Sequence, residues 1–149
     1  MLTIDAVAPT DASDAVRLLA AQFDEHQIAL PAARLASAVA GLVGPAGRGA
    51  MLLAREAEHP VGLAALSYVW TLEHGGLVAW LDELYVVPDR RGHGVGSALL
   101  ERAAALAREA GCLAIDLEVD REHSRAESLY ERAGFKRLPR SRWVRKLVY

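Results

Sequence analysis

The stretch LDELYVVPDRRGHGVGSALLERAAALAREA, residues 81–110, changes its period in the middle. Its first seven residues, Leu81-Asp82-Glu83-Leu84-Tyr85-Val86-Val87, read as a strand that Pro88 stops, because proline has no N–H to give to a ladder. A basic, glycine-studded turn follows, Arg90-Arg91-Gly92-His93-Gly94-Val95-Gly96. Beyond it the spacing becomes helical, with Leu99, Ala103, Leu106, Ala107 and Ala110 on one face. Gly111 stands where a helix ends in a left-handed residue.

Strand, glycine turn and helix together suit an anionic phosphate. The first amides of a helix lack internal partners, and the peptide dipoles place partial positive charge there. Glycines at 92, 94 and 96 let a ligand approach the main chain, and Arg90 and Arg91 add formal charge. A P-loop is excluded, since no Gly-Lys-Ser/Thr follows the turn. A dinucleotide fingerprint, G-x-G-x-x-G, fails at its third glycine, although Asp116 lies at a suitable distance for a ribose contact, so that reading stays open.

Arg91-x-x-Gly94-x-Gly96 resembles the R/Q-x-x-G-x-G/A signature of the GNAT superfamily of acetyl-CoA-dependent N-acetyltransferases. Downstream, Ser128-Leu129-Tyr130-Glu131-Arg132-Ala133-Gly134-Phe135 is similar to that family's second hallmark, A-x-x-L-Y-x-x-x-G-F. The resemblance implies an α/β fold with a mixed, mostly antiparallel central sheet and helices on both faces. It implies a sheet that splays near the Tyr85–Val87 strand to admit the coenzyme. The expected activity is transfer of acetyl from acetyl-CoA, as cosubstrate, to a primary amine.

The resemblance also assigns roles. The backbone of Leu84, Tyr85 and Val86 pairs with the pantetheine amides as an added strand would. Arg91, Gly92, His93, Gly94, Val95, Gly96 and Ser97 form the pyrophosphate turn, mostly through main-chain amides. Tyr130 matches the tyrosine that protonates the departing thiolate. His123 stands seven residues before it, where the family usually carries an asparagine that bonds the pantetheine arm. Asp82 or Glu83 is the base that takes a proton from the amine. In polyamine-acetylating members, whose segment reads L-E-D-F-F-V, the carboxylate matching Asp82 acts through water. Neighbouring strand residues point to opposite faces, so only one of the two should look into the site. An acidic pocket also favours a cationic acceptor; the expected partner is a small-molecule amine, with polyamine-like and protein or peptide amines left open. A non-catalytic acyl-CoA-binding domain of the same fold is the alternative.

The chain of 149 residues is the length of one domain, read as a single N-acetyltransferase domain over residues 1–149. A net charge of −2 gives no nucleic-acid-binding surface, and no apolar run is long enough to span a membrane. Residues 1–16 lack the features of a secretion signal, so a cytoplasmic location is expected. Cys112 is the single cysteine, which excludes an internal disulfide and supplies no metal set; no metal is expected.

The remaining chain reads as a first strand over 2–7 and a helix starting at Pro9-Thr10-Asp11 with Val16, Leu19, Ala20 and Phe23 on its face. A second helix follows Pro31 with Leu35, Val39 and Leu42 inward. Strands around 51–54, 61–66 and 77–87 form an antiparallel meander. A strand over 112–119 is expected at a central position, then a helix opened by a Ser124/Glu127 capping box and a last strand over 143–149. In the resemblance the two N-terminal helices form part of the acceptor wall, and Trp70, His74 and Trp80 are further candidates for it. Dimerisation is common in the family, and a homodimer could use that last strand.

Overall fold

The computed structural model describes residues 1–120 and 122–148; the side chain of Ser124 lies outside that description, and with it the expected capping box. The elements run β1 (Leu2–Ala6), α1 (Ala12–Glu25), α2 (Ala32–Val43), β2 (Gly49–Glu56), β3 (His59–Thr71), β4 (Gly76–Val86), α3 (Val95–Glu109), β5 (Ile115–Asp116) and α4 (Ser124–Arg132). Packing divides the chain into two compact units, Met1–Leu117 and Glu118–Tyr149.

The first unit holds a five-stranded sheet in the order β1-β2-β3-β4-β5. The first four strands are antiparallel to their neighbours and β5 is parallel to β4. The middle strands are apolar without a break, Met51–Ala54 and Val61–Leu66 being buried, as happens when both faces of a sheet are covered. Leu63 belongs to the core formed with Leu18, Leu19, Leu35 and Val39 of α1 and α2. Its neighbour Gly62 must face the other way, and there a Cβ would sit 3.1 Å from Leu99 Cδ1 and 3.3 Å from Val95 Cγ1 of α3. So α1 and α2 cover one face and α3 the other, as the sequence led us to expect.

Helix α3 buries Val95, Leu99, Leu100, Ala103 and Ala107, and it ends at Glu109, leaving Ala110 exposed. Gly111, at φ 86°, closes it. Its N–H donates to the Arg108 carbonyl, and that of Cys112 to the Ala107 carbonyl at 2.9 Å, the paired bonds of a Schellman motif.

Three expectations change. The buried face of α1 is Ala15, Leu18, Leu19 and Gln22, one residue round from the apolar stripe read in the sequence. Strand β5 spans two residues and lies at the sheet edge, not its centre: it meets β4 only at Ala79 and Trp80, and no further strand covers its other side among the described residues. The last strand is absent from the described residues 143–148, and Tyr149 lies outside them. Alternating apolar residues do not make a strand without a neighbour to complete the ladder, and Trp143, Val144 and Leu147 are 91%, 82% and 87% exposed.

Candidate active site

The carboxylates come first because a break in register places them. Opposite β3, the pairing steps from Leu66↔Leu81 to Ala65↔Glu83, so Asp82 is an extra residue on β4. Such a β-bulge sets two residues against one and interrupts the strict alternation of faces. Asp82 and Glu83 consequently both line one cavity, instead of pointing apart as regular pleating would require.

That cavity measures about 130 Å³. Leu19 and Phe23 of α1, Leu30, and Leu35, Ala38, Val39 and Leu42 of α2 form its helical side; Met51 of β2 and Ala65 of β3 form its floor. Every lining group but the two carboxylates is apolar. Asp82 is exposed and Glu83 half-buried, so the acidic side faces the solvent. An apolar slot closed by two acids suits an alkyl amine, whose chain leaves water while its cation meets the carboxylates.

Along the same strand the outer edge has no strand against it among the described residues, although its Leu84 and Val86 carbonyls accept from Gln22 Nε2 and Arg91 Nε. Val87 donates its N–H to Val61 at 2.9 Å, and Leu63 stands opposite Tyr85. By the alternation of an antiparallel ladder, Leu84 and Val86 therefore turn their N–H and C=O groups away from β3. Since β5 stops at Trp80, no strand occupies that outer edge from Asp82 to Val86 among the described residues.

The glycine turn follows directly. Gly92 and Gly94 have φ of 80° and 85°, and a Cβ at either would meet nothing within 4 Å. Here the glycines serve the left-handed backbone of the turn, with open space beside it. Gly94 is the N-cap of α3, and the Ala98 N–H is the first to bond back to its carbonyl, so the amides of Val95, Gly96 and Ser97 are spare. The His93 ring is exposed, with Nδ1 3.0 Å from the Arg91 carbonyl oxygen.

Neither arginine stands free above the turn. Arg90 Nε bonds Glu56 at 2.7 Å. Arg91 Nη2 reaches both Glu25 oxygens, at 3.1 and 2.8 Å, its Nε donates to the outward Val86 carbonyl at 2.9 Å, and its guanidinium lies over the Tyr85 ring. Tyr85 in turn donates its hydroxyl to Glu25 at 2.9 Å. Burial pushes the Glu25 carboxyl up, but the hydrogen bonds from Arg91 and Tyr85 and the Arg91 charge outweigh it, leaving the group below its ordinary range. The Tyr85 phenol is pushed up, by burial first and by Glu25 second. Glu25 was invisible to sequence reasoning, being 66 residues from Arg91.

In the second unit α4 begins at Ser124, with His123 as N-cap, and the His123 carbonyl accepts the Ala126 N–H. His123 Nδ1 lies 3.8 Å from an Asp120 oxygen. Ala126, Leu129, Tyr130 and Ala133 form the half-buried side of the helix. Gly134, at φ 92°, ends it: its N–H bonds the Glu131 carbonyl and that of Phe135 the Tyr130 carbonyl. The Tyr130 and Phe135 rings meet edge to face at 5.7 Å. The Y-x-x-x-G-F spacing thus has a mechanical meaning: glycine turns the chain back so that phenylalanine braces the tyrosine ring.

Trp70, at 72% exposure, stands outside the cavity, and His74 bonds Asp116 at 3.1 Å; neither lines it, nor does Trp80. Burial pushes the Cys112 thiol up, in keeping with an unreactive side chain.

The acetyltransferase (GNAT) family profile matches residues 14–135. The chain belongs to the GNAT family. Among curated proteins it is 34% identical over 76 residues to the aminoalkylphosphonate N-acetyltransferase of Salmonella typhimurium, a stretch covering 51% of this chain and 49% of that protein. The chain spans half or less of the length of the first curated relatives it matches. Among solved structures, a candidate acetyltransferase from Arthrobacter sp. FB24 is 35% identical, with a TM-score of 0.83 over 97% of this chain and 96% of that one. An aminoglycoside N-acetyltransferase solved in complex with CoA shares the fold, with a TM-score of 0.86 over 99% of this chain and 96% of that one at 18% identity. Among the described residues no helix is long and apolar enough to cross a membrane.

Proposed function

We propose that this protein transfers acetyl from acetyl-CoA to the primary amine of a small, partly aliphatic cation. The observation that carries the reading is the bulge at Asp82, which sets two carboxylates in an apolar slot one step from a main-chain edge that no strand covers among the described residues. The family match, which runs through both compact units, supports taking residues 1–149 as one functional domain. The relative named for an aminoalkylphosphonate supports a small amine acceptor.

The pantetheine arm adds to the outer edge of Leu84–Val86 through its amides, and the pyrophosphate takes the spare amides between Gly92 and Ser97. Arg91 holds the turn to Glu25 and β4 while contributing its charge to the site. His123 donates one bond to the pantetheine arm. The bound amine arrives as an ammonium, with an ordinary pKa of ~10.4, and must lose a proton before it can attack. Asp82 or Glu83 takes that proton, through water. The nitrogen lone pair then forms the C–N bond at the thioester carbon. The C–S bond breaks with its electron pair, and Tyr130 returns a proton to the thiolate.

The test has two stages. Acetyl-CoA, but not NADH, should raise the melting temperature, and a panel of alkyl amines, aminoalkylphosphonates and polyamines should release free thiol. Asp82→Asn, Glu83→Gln and Tyr130→Phe should then be compared; loss of the base or the acid should lower kcat by roughly a hundredfold or more. Full turnover in all three variants would end this mechanism. Stabilisation by acetyl-CoA with no turnover on any amine would favour the non-catalytic reading, which the histidine at 123 keeps in view.

A further inference from the structure

Helix α1 ends on two acids, Asp24 and Glu25, with no basic residue in its last turn. The peptide dipoles leave partial negative charge at that end, so a carboxylate there is disfavoured unless a cation meets it. For Glu25 the cation comes from the glycine turn. Both its oxygens accept from Arg91 Nη2, at 3.1 and 2.8 Å, and one of them also accepts the Tyr85 hydroxyl at 2.9 Å. Arg91 Nε donates to the Val86 carbonyl at 2.9 Å, and its guanidinium carbon lies 5.6 Å from the centroid of the Tyr85 ring. A guanidinium has five N–H groups. One goes to Val86 and Nη2 is turned to Glu25, while among the described residues the Nη1 pair meets no acceptor.

We propose that Glu25 is a positioning residue for the coenzyme, holding the Arg91 guanidinium beside the glycine turn so that Nη1 meets the pyrophosphate. This rests on the acetyl-transfer reading above and deepens it. Glu25 does not line the acidic cavity, so its carboxylate acts through Arg91 and not on the amine. The Arg91 side chain is 42% exposed, and without its anchors it would lose rotamer freedom each time a phosphate bound. Held at Glu25, Val86 and Tyr85, it has lost that freedom already. Glu25 also cancels much of the Arg91 charge at a distance, which works against attraction of the anion. Salt screens that distant effect, whereas order at the contact is retained, so the positioning effect is the larger one.

The opposed signs of those two effects give the test. Glu25→Ala should raise KM for acetyl-CoA about fivefold, the worth of a well-made but half-exposed ion pair, and leave kcat and KM for the amine nearly unchanged. Glu25→Gln keeps one acceptor oxygen for Nη2 and should recover part of the loss. S-Acetylpantetheine, which has the arm and no phosphate, separates positioning from mere folding. Its kcat/KM should be the same in wild type and both variants, because it offers Nη1 nothing to meet. Equal losses with acetyl-CoA and acetylpantetheine would make Glu25 a structural residue and overturn the proposal. So would a KM for acetyl-CoA that falls or stays, since the distant charge would then be the larger effect. Wild-type protein is measured alongside: if it releases no thiol from acetyl-CoA with any amine, the parent reading has failed instead. Should Glu25→Ala not fold, the isosteric Glu25→Gln with the same two thioesters decides the matter.

Discussion

Gly62→Ala tests how the sheet places the coenzyme turn. A Cβ at position 62 would stand 2.8 Å from the Tyr85 carbonyl oxygen, 3.1 Å from Leu99 Cδ1 and 3.3 Å from Val95 Cγ1. The first contact is with backbone, which cannot rotate aside, and the other two are with the first turns of α3. Relief requires α3 to lift or β3 and β4 to part by several tenths of an ångström. Overpacking of this kind costs about 1–3 kcal/mol. At roughly 2–4 °C per kcal/mol for a chain of this size, the melting temperature should fall by about 2–12 °C. Because Val95 opens the helix whose amides we propose take the pyrophosphate, KM for acetyl-CoA should rise in step. Gly94 makes the control. A Cβ there meets nothing, and alanine is penalised only by φ of 85°, at about 1–2 kcal/mol. Asparagine, which tolerates that region, should recover part of the loss at position 94 and make matters worse at 62. Calorimetry and initial rates on the four variants suffice. Wild-type stability and KM in Gly62→Ala, or the same ranking of alanine and asparagine at both sites, would refute the packing argument.

The remaining expectations are shorter. Glu25 is held below its ordinary value of 4.5, so between its folded and unfolded pKa the unfolded chain binds more protons. Its contribution is therefore present above about pH 4.5 and lost as pH falls through the folded value. Melting curves from pH 6 to about pH 3 should show a shallower acid decline in Glu25→Gln than in wild type; an unchanged slope would disprove the linkage. Gly134→Ala should cost about 1–2 kcal/mol through its φ of 92° and also depress kcat, since Tyr130 loses its brace; lost stability with normal kcat would separate the two roles.

The sequence was most informative where chemistry and local geometry coincide. Gly111 and Gly134 close their helices as glycine does in the left-handed region, and the meander of β2, β3 and β4 follows its turns. Reading failed where a partner far along the chain decides. Leu19 belongs to both candidate faces of α1, and hydrophobicity chose Phe23 over Gln22 because nothing local announces that Leu84 awaits a donor. The bulge escaped for a related reason: period-two alternation runs straight through Asp82-Glu83, and only the register of β3 reveals the extra residue. The arginine pair read as bare charge because Glu25 and Glu56 lie 66 and 34 residues away. At the C-terminus the alternation over 143–149 predicts a last strand, and among the described residues 143–148 there is no ladder for it.

The outer edge of β4 also bears on how this chain could be altered. Recognition through main-chain groups is indifferent to many changes of side chain but strict about count. Leu84 and Val86 present outward groups because each lies an odd number of residues from Val87, whose N–H turns inward to Val61. Deleting one residue between Asp82 and Val86, or adding one, would turn those groups inward toward β3 and swing the glycine turn to the other face. In this segment spelling can drift and length cannot. A library that randomises positions 84 and 86 should retain coenzyme binders, and one that varies the segment's length should lose them.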